Sequence, residues 1–285
     1  MTGGLVLQVK RAGSCGRIGR LAAVCIALTG CNKDRSAPPP TPAPSSRGSD
    51  PAEAEPVAPR CPTDMALARG TCVDRWEAQL VEAKSGRPHS PFARLRFGTE
   101  YRAVAKPGVK PQGYISRLDA ARACANAGKR LCRAREWYRA CVGPGGDFVP
   151  EGKCNLGKGH VMTRVFGAHV KLTYDSHYNS PRLNQEPGFL AKAGEYAECV
   201  NGYGLYDMVG NLHEWVADDV SERLRREIPL SYDDGRLGPR GNGVFMGGYF
   251  SAKGEHGDGC DYVTTAHRPD YHDYSTGFRC CADPK

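Results

Sequence analysis

Residues 201–215 read Asn201-Gly202-Tyr203-Gly204-Leu205-Tyr206-Asp207-Met208-Val209-Gly210-Asn211-Leu212-His213-Glu214-Trp215. Three glycines and scattered aromatics in so short a run leave no helical period, so the stretch reads as a tight loop running into a short strand. Downstream of Gly143 the chain keeps this character: glycine clusters, brief aromatic runs and charged turns predict short strands and loops. Upstream the pattern differs. Ser116 is a good N-cap with Asp119 three residues on, and Leu118, Ala121, Cys124 and Ala125 recur at helical spacing. A helix is predicted from Arg117 to Ala127, stopping at Gly128. A second is predicted over Ala134–Cys141, with Trp137, Ala140 and Cys141 on its apolar face. A helix pair followed by a loop-rich half argues an α+β fold.

The chain has 285 residues, with 35 glycines, 21 prolines and 13 cysteines. Its mean hydropathy of -0.51 excludes a multi-span membrane protein, and no uninterrupted apolar run is long enough to span a bilayer. Lys10, Arg11, Arg17 and Arg20 precede the apolar run Leu21–Leu28, as in a secretory signal. Leu28-Thr29-Gly30-Cys31 resembles a bacterial lipobox, so residues 1–30 are expected to be removed and Cys31 to carry the lipid. Losing four basic and no acidic side chains takes the formal charge from +8 to +4, which gives no argument for nucleic acid. Residues 31–60 hold eight prolines and read as an extended, solvated tether. Residues 61–285 form the head. The expected location is the bacterial cell envelope, lipid-anchored and periplasmic or surface-facing. Asn32 after the lipidated cysteine favours the outer membrane.

Ten cysteines fall in the head: Cys61, Cys72, Cys124, Cys132, Cys141, Cys154, Cys199, Cys260, Cys280 and Cys281. An even number in an oxidising compartment predicts five disulfides, with the pairing open. The close thiolate pairs of a zinc cluster are absent. Ser251, near Gly247-Gly248, lacks the strand–elbow–helix context of a hydrolase nucleophile.

Two stretches then resemble one family. Ala123–Leu131 with Glu136-Trp137, and the whole of residues 201–215, are similar to motifs of the formylglycine-generating enzyme (sulfatase-modifying factor) family. Phe245-Met246-Gly247-Gly248 and Gly277-Phe278-Arg279-Cys280 resemble its later motifs, in family order. The resemblance implies a fold related to C-type lectins, poor in regular structure. It also implies calcium held by Asp207, Glu214 and the carbonyls of Met208, Gly210 and Leu212. A second calcium site would start at Asn155 and the Leu156 carbonyl, with its acidic partner falling on Pro187 beside Glu186. Calcium wants six to eight hard oxygen ligands, which a tight loop between two carboxylates can supply.

Active family members oxidise a substrate cysteine with copper(I) held by two cysteines five residues apart, and two soft thiolates suit that ion. Matching Thr265-Ala266-His267-Arg268 to the family run puts Cys260 at the second cysteine and Glu255 at the first. His213 stands where the family commonly has an active-site tryptophan. Related iron enzymes draw ligands from a second domain, for which the chain has no room. The expectation is a calcium-stabilised binding or scaffold module. Its groove would take an extended peptide or envelope protein along Tyr249, Phe250, His256, Cys260, His267 and Arg268. The alternative is a copper-dependent formylglycine-generating oxidase with Cys260 as its catalytic thiol.

Overall fold

The structure is a computed structural model that describes residues 60–227 and 238–285. The leader, Cys31 and the proline-rich tether up to Pro59 lie outside the described residues. No helix among the described residues is long and apolar enough to cross a membrane.

Helix α1 (Arg117–Ala125) begins where the sequence puts it: the Asp119 amide donates to Ser116 Oγ at 3.1 Å, and that hydroxyl donates to Asp119 Oδ2 at 2.7 Å. It ends two residues earlier than expected. The inward face also differs, being Ala120, Ala123 and Cys124, while Leu118 is 47% exposed. The reason is close approach: small side chains let the helix lie on Leu80, Tyr101 and Ala103, and Cys124 is bridged to the strand behind. Helix α2 (Ala134–Cys141) has the predicted bounds and buries Trp137, Ala140 and Cys141. Its first turn is closed by Glu136, which accepts from the Arg133 amide at 2.8 Å and pairs with Arg130 at 2.7 Å.

The strands are short, as the glycine-rich composition requires. Strands β1 (Met65–Ala68), β2 (Thr71–Asp74), β5 (Arg130–Leu131) and β10 (Cys280–Ala282) form one sheet in the order β1-β2-β10-β5. Strands β3 (Ala78–Glu82) and β4 (Tyr101–Ala105) pair as a separate antiparallel ribbon. Strands β6 (His213–Asp219), β7 (Gly243–Met246), β8 (Val263–Thr264) and β9 (Thr276–Phe278) form the third sheet, in which β6 and β9 run parallel. Three short helices, α3 (Val161–Phe166), α4 (Arg182–Gln185) and α5 (Glu222–Glu227), lie among the connections. Residues His213–Val216 of β6 are all buried, so this strand is covered on both faces.

Five disulfides join the ten head cysteines: Cys61–Cys72, Cys124–Cys280, Cys132–Cys281, Cys141–Cys260 and Cys154–Cys199. The adjacent Cys280 and Cys281 serve two different cores because successive strand residues point to opposite faces. Cys280 joins the core beneath α1, and Cys281 the core around Trp137. A third core gathers Tyr114, Leu183, Leu212, Tyr249, Phe250 and Tyr274.

Candidate functional site

The 201–215 stretch closes through left-handed backbone. Asp207, Gly210 and Asn211 have φ of 53°, 80° and 58°. Gly210 is required twice over, since a Cβ there would sit 2.3 Å from the Asn155 carbonyl oxygen. Gly247, directly after β7, plays the matching part, since a Cβ there would meet the Met208 carbonyl at 2.5 Å. With both side chains absent, the Gly210 amide donates to Gly247 O and the Asn211 amide to Asn155 O, each at 2.8 Å.

Behind this loop lies a buried charge network. Glu214 accepts from Arg279 Nη2 through Oε1, and from Arg279 Nε and Trp137 Nε1 through Oε2, each at 2.6 Å. Arg279 is fully enclosed and spends its other donors on the carbonyls of Asp74 and Tyr206, at 3.0 and 2.9 Å. Glu77 accepts from Asn211 Nδ2 at 2.5 Å and from the Leu212 amide at 3.1 Å. Asp207 accepts from the Gly194 amide at 2.6 Å. Burial pushes the Asp207 carboxyl up to about 6. Burial, with Asp207 and Glu214 nearby, drives Glu77 well above the usual carboxylate range.

Of the side chains that the resemblance implies as calcium ligands, Glu214 and Asp207 are both engaged within the protein. Both oxygens of Glu214 face Arg279 and Trp137, so the guanidinium holds the place of a counter-ion. At the second expected site, Asn155 Oδ1 is buried with no hydrogen-bond partner, but Glu186 pairs with Arg164 at 3.1 Å instead of joining it. Among the described residues, no group of three or more histidine, cysteine or acidic side chains could hold a metal.

The copper position fits no better. Cys260 is bridged to Cys141, and Glu255 takes the Lys253 amide at 2.6 Å and the Tyr262 hydroxyl at 3.3 Å. A carboxylate and a disulfide sulfur are not the soft thiolate pair that copper(I) needs.

The expected groove residues fall in different surroundings. Tyr249 and Phe250 are buried in the third core, so they pack the loops and do not line an opening. Exposed His256 meets the edge of Tyr262, with centroids 5.5 Å apart. His267 and Arg268 line a different, open cleft with Tyr174, Tyr271 and the first turn of α1. No local signal marks Glu77: Asp74-Arg75-Trp76-Glu77 looks like any charged strand end, and the burial of Glu77 comes from contacts with residues over a hundred positions away.

His213 is enclosed by Phe245, Tyr249 and Tyr262, with ring centroids at 4.7, 4.8 and 5.3 Å, and its Nδ1 is buried without a partner. Burial, aided by the charges of His256 and His267, lowers its pKa to about 3. An unfolded imidazole titrates near 6.5, so between these values the unfolded chain binds more protons. The stability tied to neutral His213 is full above pH 6.5 and drains as pH falls through the window, by about 1.4 kcal/mol per unit. His213→Phe is expected to flatten this loss and to stabilise the head by roughly 1 kcal/mol at neutral pH. Urea titrations at pH 4.5 and 7.5 check it; equal acid sensitivity in variant and parent would refute the assignment.

Residues 76–284 match the sulfatase-modifying factor enzyme 1-like domain. The formylglycine-generating enzyme of Thermomonospora curvata is 30% identical over 220 residues, covering 69% of this chain and 66% of that protein. The mouse formylglycine-generating enzyme is 30% identical over 184 residues, 61% of this chain and 44% of its own length. Among solved structures, PvdO from Pseudomonas aeruginosa is 15% identical, with a TM-score of 0.41 over 75% of this chain and 80% of that one. The chain therefore spans under two thirds of the bacterial relative and under half of the mouse one. With its loop-rich α+β fold, related to that of C-type lectins, the chain belongs to the sulfatase-modifying factor family.

Proposed function

We propose that the head is a binding or scaffold module and not a formylglycine-generating oxidase. One observation carries the reading: of the two copper positions, one is Glu255 and the other is Cys260, bridged to Cys141. The remaining framework supports it, since Arg279 and the backbone of Asn155 and Gly247 stiffen the central loop with no call on a metal. The disulfides suit an oxidising compartment. The same proposal includes the leader and the lipid on Cys31, which would hold the head at the bacterial envelope for an extracytoplasmic partner.

The test begins with a free-thiol count on the purified head, with peptide mapping of Cys260. Zero free thiols, and no oxygen consumption with copper(I) and a Cys-x-Pro-x-Arg peptide, are the expected results. A free Cys260 together with turnover of that peptide overturns the reading in favour of the oxidase named in the relatives. For the anchor, Cys31→Ser should leave the membrane fraction, and unchanged membrane association refutes lipidation.

A further inference from the structure

On the face made by the first turn of α1 and residues 266–272 lies an open cleft of about 770 Å³. It has an aromatic floor. His267 stacks on Tyr271 with centroids 3.7 Å apart and planes 6° from parallel, and Tyr174 lies 5.4 Å from Tyr271. The polar ends of the two tyrosines are bound within the protein. The Tyr174 hydroxyl donates to the His272 carbonyl at 2.6 Å and the Tyr271 hydroxyl to Asp273 at 2.7 Å. Tyr174 is thereby fixed in orientation yet stays 38% exposed, a preset stacking platform.

The rim carries charge. Arg94, Arg122 and Arg268 stand around the opening with Asp119 and Asp270. Arg122 pairs with Asp119 at 3.0 Å and Arg268 with Asp270 at 3.3 Å. The Arg94 side chain has no partner among the described residues and leaves one cation uncompensated. Among the described residues no strand residue lines the cleft, so an extended peptide finds no ladder of backbone groups there to pair with. A ring with an anionic substituent uses both available features: its face on Tyr174 and its charge on a planar, bidentate guanidinium.

We propose that this cleft binds a small anionic ligand built on a ring, of the class of carboxylated sugars or nucleoside phosphates, stacked on Tyr174 with its anionic group on Arg94. The proposal rests on the reading of the head as a binding module.

Titration calorimetry on the oxidised full-length chain tests it with four probes: trigalacturonate, adenosine 5′-monophosphate, neutral cellotriose and an acidic tetrapeptide without aromatics. The expected result is saturable binding of the trisaccharide or the nucleotide, weakened by salt, with the neutral sugar and the peptide at least about tenfold weaker. Which of the two binds identifies the source of the anion. Arg94→Ala, on an exposed residue, should weaken that binding about tenfold with an unchanged melting temperature. Tyr174→Leu should weaken it similarly, and the arginine variant decides alone if the tyrosine variant melts early. Equal affinity for cellotriose, binding of the peptide alone, binding indifferent to Arg94→Ala, or no binding of any probe overturns the ligand assignment. The binding-module reading fails on a different readout, oxygen-dependent turnover of the cysteine peptide.

Discussion

Arg279→Met is expected to be the most damaging single substitution in the head, costing about 3–5 kcal/mol or preventing folding outright. The guanidinium is fully enclosed and is the counter-charge to Glu214, with Asp207 and Glu77 also in its field. Without it three buried carboxyls face one another, and each must take up a proton or draw in water. Neither partner is individually favourable in that interior; the pair is stable only together. A double variant, Arg279→Met with Glu214→Gln, should therefore regain a large share of the loss. Urea denaturation of parent, single and double variants measures the recovery. Equal damage from single and double variants would show that packing, not uncompensated charge, makes Arg279 necessary.

The second large effect is expected from Cys141→Ser with Cys260→Ser. The Cys141–Cys260 bridge closes a sequence separation of 119 residues and ties α2 to the turn before β8. Removing it should cost about 2–5 kcal/mol, because the unfolded chain regains the freedom that the link denied it. The drop in urea midpoint, with the slope equal or steeper as the unfolded chain loosens, is the readout. The single variant Cys141→Ser frees the Cys260 thiol and adds a sharper expectation. Copper(I) affinity should stay far below that of a dithiolate site, because Glu255 supplies hard oxygen and not soft sulfur. Tight copper binding by that variant would mean that His256 or another soft donor completes a site.

What could be read in the sequence was local. The cap at Ser116 and the apolar spacing of Trp137, Ala140 and Cys141 depend on residues within a turn of one another, and both helices stand where these signals lie. The inward face of α1 was less legible. Hydrophobicity favours Leu118, yet the face that packs on β3 and β4 is the small one of Ala120, Ala123 and Cys124, and how closely two elements approach is not written in either one. Tyr249 and Phe250 show the same limit at the expected groove: aromatic residues on a glycine-rich turn suggest a binding surface, but whether such rings face water depends on Leu183 and Tyr274, which arrive from elsewhere in the chain. Glu77 was invisible for a related reason. A carboxylate at a strand end is ordinary until Asn211 closes over it from more than a hundred residues away. The pairing of the cysteines needed the strand order, since only the alternation along β10 sends Cys280 and Cys281 to different partners.

That alternation sets a timetable for maturation. A chain emerging N-terminus first can close Cys61–Cys72 and Cys154–Cys199 while its remainder is still being made, since their separations are 11 and 45 residues. The bridges from Cys124 and Cys132 wait for Cys280 and Cys281, which follow them by 156 and 149 residues. Until those residues arrive, Cys124 and Cys132 are unpaired thiols open to wrong partners, and Arg279 is not yet in place to neutralise Glu214. Completion of the head thus waits for β10, and a product truncated before Arg279 would offer exposed carboxylates and odd thiols to quality control instead of a partly working domain.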